Sequence, residues 1–185
     1  MSEFLLELFS EEMPPNLQIS ARNDLLNILK NFFENENINY DKNNLALSTP
    51  NRLIIYFKNV QKEVIKISKN IRGPSTNSSE EALKGFLISN KIAKNKIYKK
   101  KLDNGEYYFF NTPKKKIKTK FLLEEKIPDL LSKIKWKKSM RWGSYELYWG
   151  RPLKSIMAIY DGNTLGFNYY HLKSSNKTVV DKDFE

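Results

Sequence analysis

Phe4-Leu5-Leu6-Glu7-Leu8-Phe9-Ser10-Glu11-Glu12-Met13-Pro14-Pro15 opens the chain with a change of rhythm that decides the fold. The run from Phe4 to Phe9, apolar except at Glu7, reads as a buried strand. Ser10 to Pro15 then break it and begin a helix, because carboxylates favour a helix N-terminus and proline is tolerated in the first turn. Leu17, Ala21, Leu25, Ile28, Leu29 and Phe32 recur at helical spacing as far as Phe33.

Working outward, residues 34–44 are polar and read as a loop. The stretches 45–48, 52–60 and 64–71 read as strands, with Thr49-Pro50-Asn51 turning the first into the second. Arg72-Gly73-Pro74-Ser75 reads as the corner that closes this unit. Ser78 and Glu81 have capping-box spacing and predict a helix to about Asn90, with Ala82, Leu83, Phe86 and Leu87 inward. Residues 97–103 and 106–111 flank Asn104-Gly105, a strong hairpin signal. Phe121, Leu122, Ile127, Leu130, Leu131 and Ile134 predict another helical segment, kinked or split at Pro128. Beyond Trp142-Gly143 the β pattern returns over 146–149, 153–160 and 164–170, with Asp161-Gly162 turning the last two.

The strands at the two ends lack enough local partners, and isolated hairpins are marginal. The expected architecture is therefore α+β: residues 1–72 and 140–185 form one β-rich unit, and 75–135 form a basic helix-hairpin-helix insertion.

Composition narrows the chemistry. The 185 residues contain no cysteine, which excludes disulfides, zinc-thiolate sites and thiol nucleophiles. The lack of cysteine fits the cytoplasm, the expected location; Met1-Ser2-Glu3 carries no positive n-region and no long apolar run follows, so neither a signal peptide nor a membrane span is expected. The net charge of +11 is uneven: residues 91–141 hold 17 basic and 5 acidic side chains, whereas 142–185 balance at 5 and 5. A basic middle of this kind suits a polyanion, of which nucleic acid is the commonest. Yet only 5 of the 32 basic residues are Arg, and Asn and Ile abound, as in chains from AT-rich genomes. Solvated surface and phosphate track both remain open for the Lys runs.

No catalytic constellation emerges. His171, the single histidine, has no cysteine to pair with, and no Gly-x-Ser-x-Gly elbow, Walker A sequence or dinucleotide fingerprint occurs. Glu11 and Glu12 are neighbours that do not share a helix face. Asp181, Asp183 and Glu185 alternate at a terminus, a poor metal cage. No catalytic residue, metal ligand or bound cofactor is thus expected in this chain. Met140-Arg141-Trp142-Gly143, Tyr145, Tyr148, Trp149 and Gly150-Arg151-Pro152 combine forked donors with ring faces. Their first reading is core aromatics with Arg141 and Arg151 paired to carboxylates; a nucleic-acid surface is the second.

Five segments, in order, resemble the N-terminal region of the β subunit of bacterial heterotetrameric glycyl-tRNA synthetase. They are Leu5 to Pro15; Thr49-Pro50-Asn51-Arg52-Leu53; Arg72-Gly73-Pro74 with Ala82-Leu83-Lys84-Gly85-Phe86; Met140-Arg141-Trp142-Gly143; and Arg151-Pro152-Leu153-Lys154-Ser155-Ile156. Phe9 and Asn51 stand where many members have Gly and Arg, and Asp181-Lys182-Asp183-Phe184 replaces a Gly-His-Arg-Phe motif. The resemblance implies a β chain several times longer than this stretch. It also implies an α subunit that activates glycine with ATP and Mg, assembly as a heterotetramer, and glycine tRNA as the shared partner. On that footing the chain is expected to be an accessory, tRNA-engaging part of a glycine–tRNA ligase that lacks catalytic residues of its own. Its tRNA contacts are expected at Lys99, Lys100, Lys101, Lys114, Lys115, Lys116 and Arg141, made to the backbone. A stand-alone RNA-binding module and an interaction fragment without RNA affinity are the alternatives.

Overall fold

The computed structural model describes residues 2–66, 70–112 and 114–179. Residues 67–69 of the strand expected over 64–71, and the segment holding Asp181, Asp183 and Glu185, lie outside the described residues. The chain divides into two compact units: Met1–Val64 with Ile117–Glu185, and Ile65–Lys116.

The first unit begins with β1 (Phe4–Ser10), α1 (Pro15–Asn35), β2 (Leu45–Thr49) and β3 (Arg52–Phe57). Side chains alternate across a strand, so Phe4, Leu6 and Leu8 of β1 share one face, and all three are buried in the core. Ala21, Leu25, Leu29 and Phe33 of α1 follow at i, i+4 spacing and are buried in the same cluster. Each such large apolar side chain stabilises the unit by about 1.5–3 kcal/mol. Phe33 meets Phe57 edge-on, ring centroids 4.9 Å apart. Helix α1 starts at Pro15 with no acidic residue in its first turn, so Glu11 and Glu12 belong to the preceding loop and not to the helix.

The strand β4 (Glu63–Lys66) leads into the second unit, which holds β5 (Asn70–Ser75), α2 (Glu80–Ser89), β6 (Ile97–Leu102) and β7 (Gly105–Asn111); β8 (Lys115–Lys118) leads out and pairs with β4. The three-stranded sheet has the order β5-β7-β6, all antiparallel. Helix α2 is capped by Ser79, one residue after the expected Ser78, whose hydroxyl accepts from the Ala82 amide. Phe86 and Leu87 are half-buried, whereas Ala82, expected inward, is exposed. Arg72-Gly73-Pro74 is not a corner: it lies within β5 and pairs towards β7 across a register shift. Gly73 is required there by close approach, since a β-carbon would come within 2.9 Å of the Phe86 ring.

Back in the first unit come α3 (Thr119–Leu131), β9 (Met140–Arg141), β10 (Tyr148–Trp149), β11 (Leu153–Tyr160), β12 (Asn163–Thr164), β13 (Asn168–Tyr169) and β14 (Leu172–Lys173). The main sheet has the order β12-β11-β1-β3-β2, with β1 at its centre, paired antiparallel to both β11 and β3. Strands far apart in sequence thus complete one sheet. The β11–β12 turn is Asp161-Gly162, both at positive φ, 50° and 72°, as a two-residue hairpin of this hand requires.

The boundaries differ from the expected insertion at 75–135. The inserted unit ends at Lys116 and contains strand, helix and hairpin. Helix α3, expected as its second helix, belongs to the first unit because Leu122, Leu123, Ile127, Leu130 and Leu131 are buried in that core. Its start is fixed by Thr119, whose amide donates to the Lys62 carbonyl at 2.9 Å. The helix runs unbroken through Pro128.

Candidate nucleic-acid interface

One end of the first unit gathers segments that are scattered in sequence. The loop after β1 is held by backbone bonds to two other segments. The Ser10 amide donates to Asn51 O at 2.8 Å, Met13 to Pro50 O at 2.7 Å, and Glu11 to Pro152 O at 2.9 Å. Met13 is buried and plugs the junction. Below it, on the face of β1 opposite Phe4, Leu6 and Leu8, Glu7 is buried and ion-paired to Arg52 Nε at 3.6 Å, and it accepts a bond from the Thr178 hydroxyl at 2.5 Å. Arg52 also donates to the Val179 carbonyl and lies over the Phe9 ring, 4.7 Å from its centroid. Its charge is consumed internally. Lys154 pairs with Glu11 at 2.6 Å.

Beside this junction lies a groove of about 310 Å³. Pro14, Leu17 and Met140 make it apolar, and Lys137, Lys138 and Arg151 make it cationic. Gly150 lines it too, pressed against the Trp136 ring. Met140 continues into the β9–β10 hairpin, where Arg141 stands opposite Tyr148. Here the first reading of the aromatics needs correction. Trp149 and Leu147 are core, but Trp142, Tyr145 and Tyr148 are 51%, 41% and 61% exposed. Neither Arg141 nor Arg151 forms an ion pair among the described residues. His171 is exposed and stacks on Tyr145, centroids 3.5 Å apart.

The seven expected contact residues are all exposed, but they do not share one unit. Lys99, Lys100 and Lys101 lie on β6 opposite Tyr108, Tyr107 and Glu106. A strand alternates, so Lys99 and Lys101 present one face and Lys100 the other. Lys100 stands 5.8 Å from the Phe109 ring centroid and Lys99 stands 5.9 Å from that of Tyr108. Lys114 precedes β8, Lys115 and Lys116 lie on it, and Arg141 belongs to the first unit. In the aromatic run Tyr107-Tyr108-Phe109-Phe110 of β7, Phe109 and Phe110 are both buried, and the Arg72 guanidinium covers Tyr107 at 3.7 Å.

Charge separates the units sharply. Residues 65–116 hold 13 Lys and Arg against 4 Asp and Glu, a net +9 of the total +11. Every Lys and Arg described in this stretch is exposed. Among the described residues no group of three or more His, Cys, Asp or Glu is placed to hold a metal, and no helix is long and apolar enough to cross a membrane. Lys137 and Lys138 were missed from the sequence, whereas Arg151 had been singled out within Gly150-Arg151-Pro152. A signal for the two lysines was available, because 133–142 carries five cations and no acid.

These features place the chain among basic modules built of helices and small sheets with cation-rich, aromatic-bearing surfaces. Its sequence matches the family model of the glycyl-tRNA synthetase beta subunit over residues 4–185, and the chain belongs to that family. It is 37% identical over 178 residues to the glycine–tRNA ligase beta subunit of Rickettsia canadensis (strain McKiel), covering 96% of this chain and 26% of that protein. The corresponding protein of Rickettsia felis (strain ATCC VR-1525 / URRWXCal2) is 38% identical over 176 residues, 95% of this chain and 26% of its own length. That of Rickettsia akari (strain Hartford) is 36% identical over 178 residues, 96% and 27%. The chain therefore spans about a quarter of the length of the curated relatives it matches.

Proposed function

We propose that this chain is an accessory, tRNA-engaging part of a glycine–tRNA ligase β subunit, supporting attachment of glycine to its tRNA by an α subunit that uses ATP. The observation that carries the reading is the charge of the second unit, +9 on 52 residues. Exposed lysines supply point charges suited to phosphate and carry no sequence information. The unit would then hold tRNA by its backbone, while glycine activation and choice of tRNA rest elsewhere in the enzyme. The first unit supplies a rigid sheet whose Arg52 is spent on Glu7, so its structural arginine is not available to phosphate.

The test is a salt titration of glycine tRNA binding, with an α-type synthetase subunit present and absent. Binding through phosphates weakens linearly on a log–log plot, with a slope of about −0.7 to −0.9 per contact. Binding that ignores salt, or no binding in either condition, overturns the proposal. Glycine-dependent ATP–pyrophosphate exchange by the chain alone, clearly above blank, overturns its accessory role.

A further inference from the structure

We infer that the β9–β10 hairpin and the groove beside it bind unpaired nucleotides of RNA. The exposed rings of Trp142 and Tyr148 stack on bases, and Lys137, Lys138 and Arg141 hold the flanking phosphates. This deepens the proposed tRNA engagement and rests on it.

Three observations converge on the hairpin. First, its rings have open faces. Tyr145 is covered by His171 and Tyr107 by Arg72, but among the described residues no ring or cation lies against Trp142 or Tyr148. At 51% and 61% exposure they spend large apolar surface on solvent in a segment whose Leu147 and Trp149 are fully anchored. Second, the approach to the hairpin is cationic. Lys133, Lys135, Lys137, Lys138 and Arg141 are all exposed, no acidic residue interrupts 133–142, and Arg141 has no ion-pair partner among the described residues. Third, the groove that shares Met140 with the hairpin is about 310 Å³, in the range of small-ligand sites, with apolar Pro14, Leu17 and Met140 beside cationic Lys138 and Arg151.

This combination selects the occupant. Protein interfaces are depleted in Lys, whereas this face is rich in it. A duplex hides its base faces and would use the cations while leaving Trp142 idle. Unpaired RNA uses both, because base stacking on an aromatic ring tolerates any sequence and the phosphates follow the charge. The site is thus distinct in kind from the lysine-rich second unit, which has charge but keeps Phe109 and Phe110 buried.

The experiment measures affinity of the 185-residue chain for a short unstructured oligoribonucleotide and for the same sequence annealed to its complement. Trp142→Ala and Tyr148→Ala are each expected to weaken the single strand about tenfold and to leave the duplex within about twofold. Trp142→Phe should retain most of the affinity, and single-strand addition should quench indole fluorescence in the wild type but not in Trp142→Phe. Unchanged melting temperature in either alanine variant shows that the fold is intact, and the two substitutions test the same surface independently. Equal losses on both RNAs, or none on the single strand, overturn the inference. So does a Trp142→Ala chain that keeps RNA affinity but no longer co-elutes with an α-type subunit, which would make the hairpin a protein-docking face. If neutralising lysines of the second unit weakens tRNA binding while the hairpin variants do not, this inference falls and the proposed function stands.

Discussion

Gly150 lies beneath the indole of Trp136, so close that a β-carbon there would fall 2.3 Å from Cε3 and 3.0 Å from Leu17 Cδ2. Trp136 in turn meets the buried Trp149, centroids 4.7 Å apart. The Gly-Arg-Pro segment is therefore a packing joint: absence of a side chain at 150 lets the α3-to-β9 connection settle on the strand end that carries Arg151 into the groove. Gly150→Ala is expected to destabilise the chain by about 1–3 kcal/mol, the usual cost of overpacking. Gly85 supplies the opposite case. It is exposed in α2, and a β-carbon there would meet nothing within 4 Å, so Gly85→Ala should stabilise by about 0.5–1 kcal/mol. Thermal and urea unfolding of the two variants check the signs; equal shifts in the same direction would contradict this account of Gly150.

Arg52 and Lys154 both reach Phe9, but only Arg52 compensates a buried carboxylate. Removing it leaves Glu7 with the Thr178 hydroxyl and no cation in contact among the described residues, and uncompensated buried charge is costly. Arg52→Ala should cost about 2–4 kcal/mol, and Lys154→Ala, which opens an exposed pair, less than about 1 kcal/mol. Arg52→Ala with Glu7→Leu should recover a large part of the loss. Denaturant midpoints of the three variants measure this.

Burial raises the phenol of Tyr160 above its ordinary value, and burial does the same for Tyr169. The unfolded chain therefore sheds these protons first. Their contribution is intact below the ordinary tyrosine value of about 10 and is lost as pH climbs past it through the raised folded value. Tyr160 also donates to Gln61 O at 3.0 Å, so Tyr160→Phe should cost about 1 kcal/mol at neutral pH. That deficit should shrink as pH rises above about 10, because the variant escapes one of the two alkaline penalties. A gap between wild type and variant that stayed constant with pH would contradict the shift.

Local elements were legible wherever one periodicity ran long enough. Leu17 to Phe32 repeat at helical spacing, and α1 follows them to Asn35. Phe4 to Phe9 read as buried strand, and β1 is the centre of its sheet. What the pattern does not carry is the partner of each apolar face. The stripe from Leu122 to Leu131 is visible in sequence, but whether it closes over the insertion or over the core of the first unit depends on contacts between segments far apart in the chain. Arg72-Gly73-Pro74 misled for a related reason. Glycine and proline usually punctuate, yet here Gly73 makes room for Phe86 inside a strand. At the surface, Trp142 and Tyr148 had the composition of a core, and composition alone cannot tell a ring that is covered from one that is not.

The lysine tract on β6 offers the sharpest test of the charge reading. Because Lys99 and Lys101 share one face of the strand and Lys100 takes the other, a tRNA backbone lying on one face should distinguish them. Lys99→Gln with Lys101→Gln should weaken glycine tRNA and unrelated tRNAs by similar factors and make the salt slope shallower by about 1 to 2 units, as expected for one or two lost phosphate contacts. Lys100→Gln alone should leave the slope essentially unchanged, well short of the roughly 0.7–0.9 unit that one lost phosphate contact would give. Stability should barely move in either variant, since exposed lysines contribute little to folding. Filter binding at several salt concentrations with glycine tRNA and one unrelated tRNA decides the matter. A loss confined to glycine tRNA would mean that this strand reads identity, and the assignment of its lysines to the phosphate backbone would be wrong.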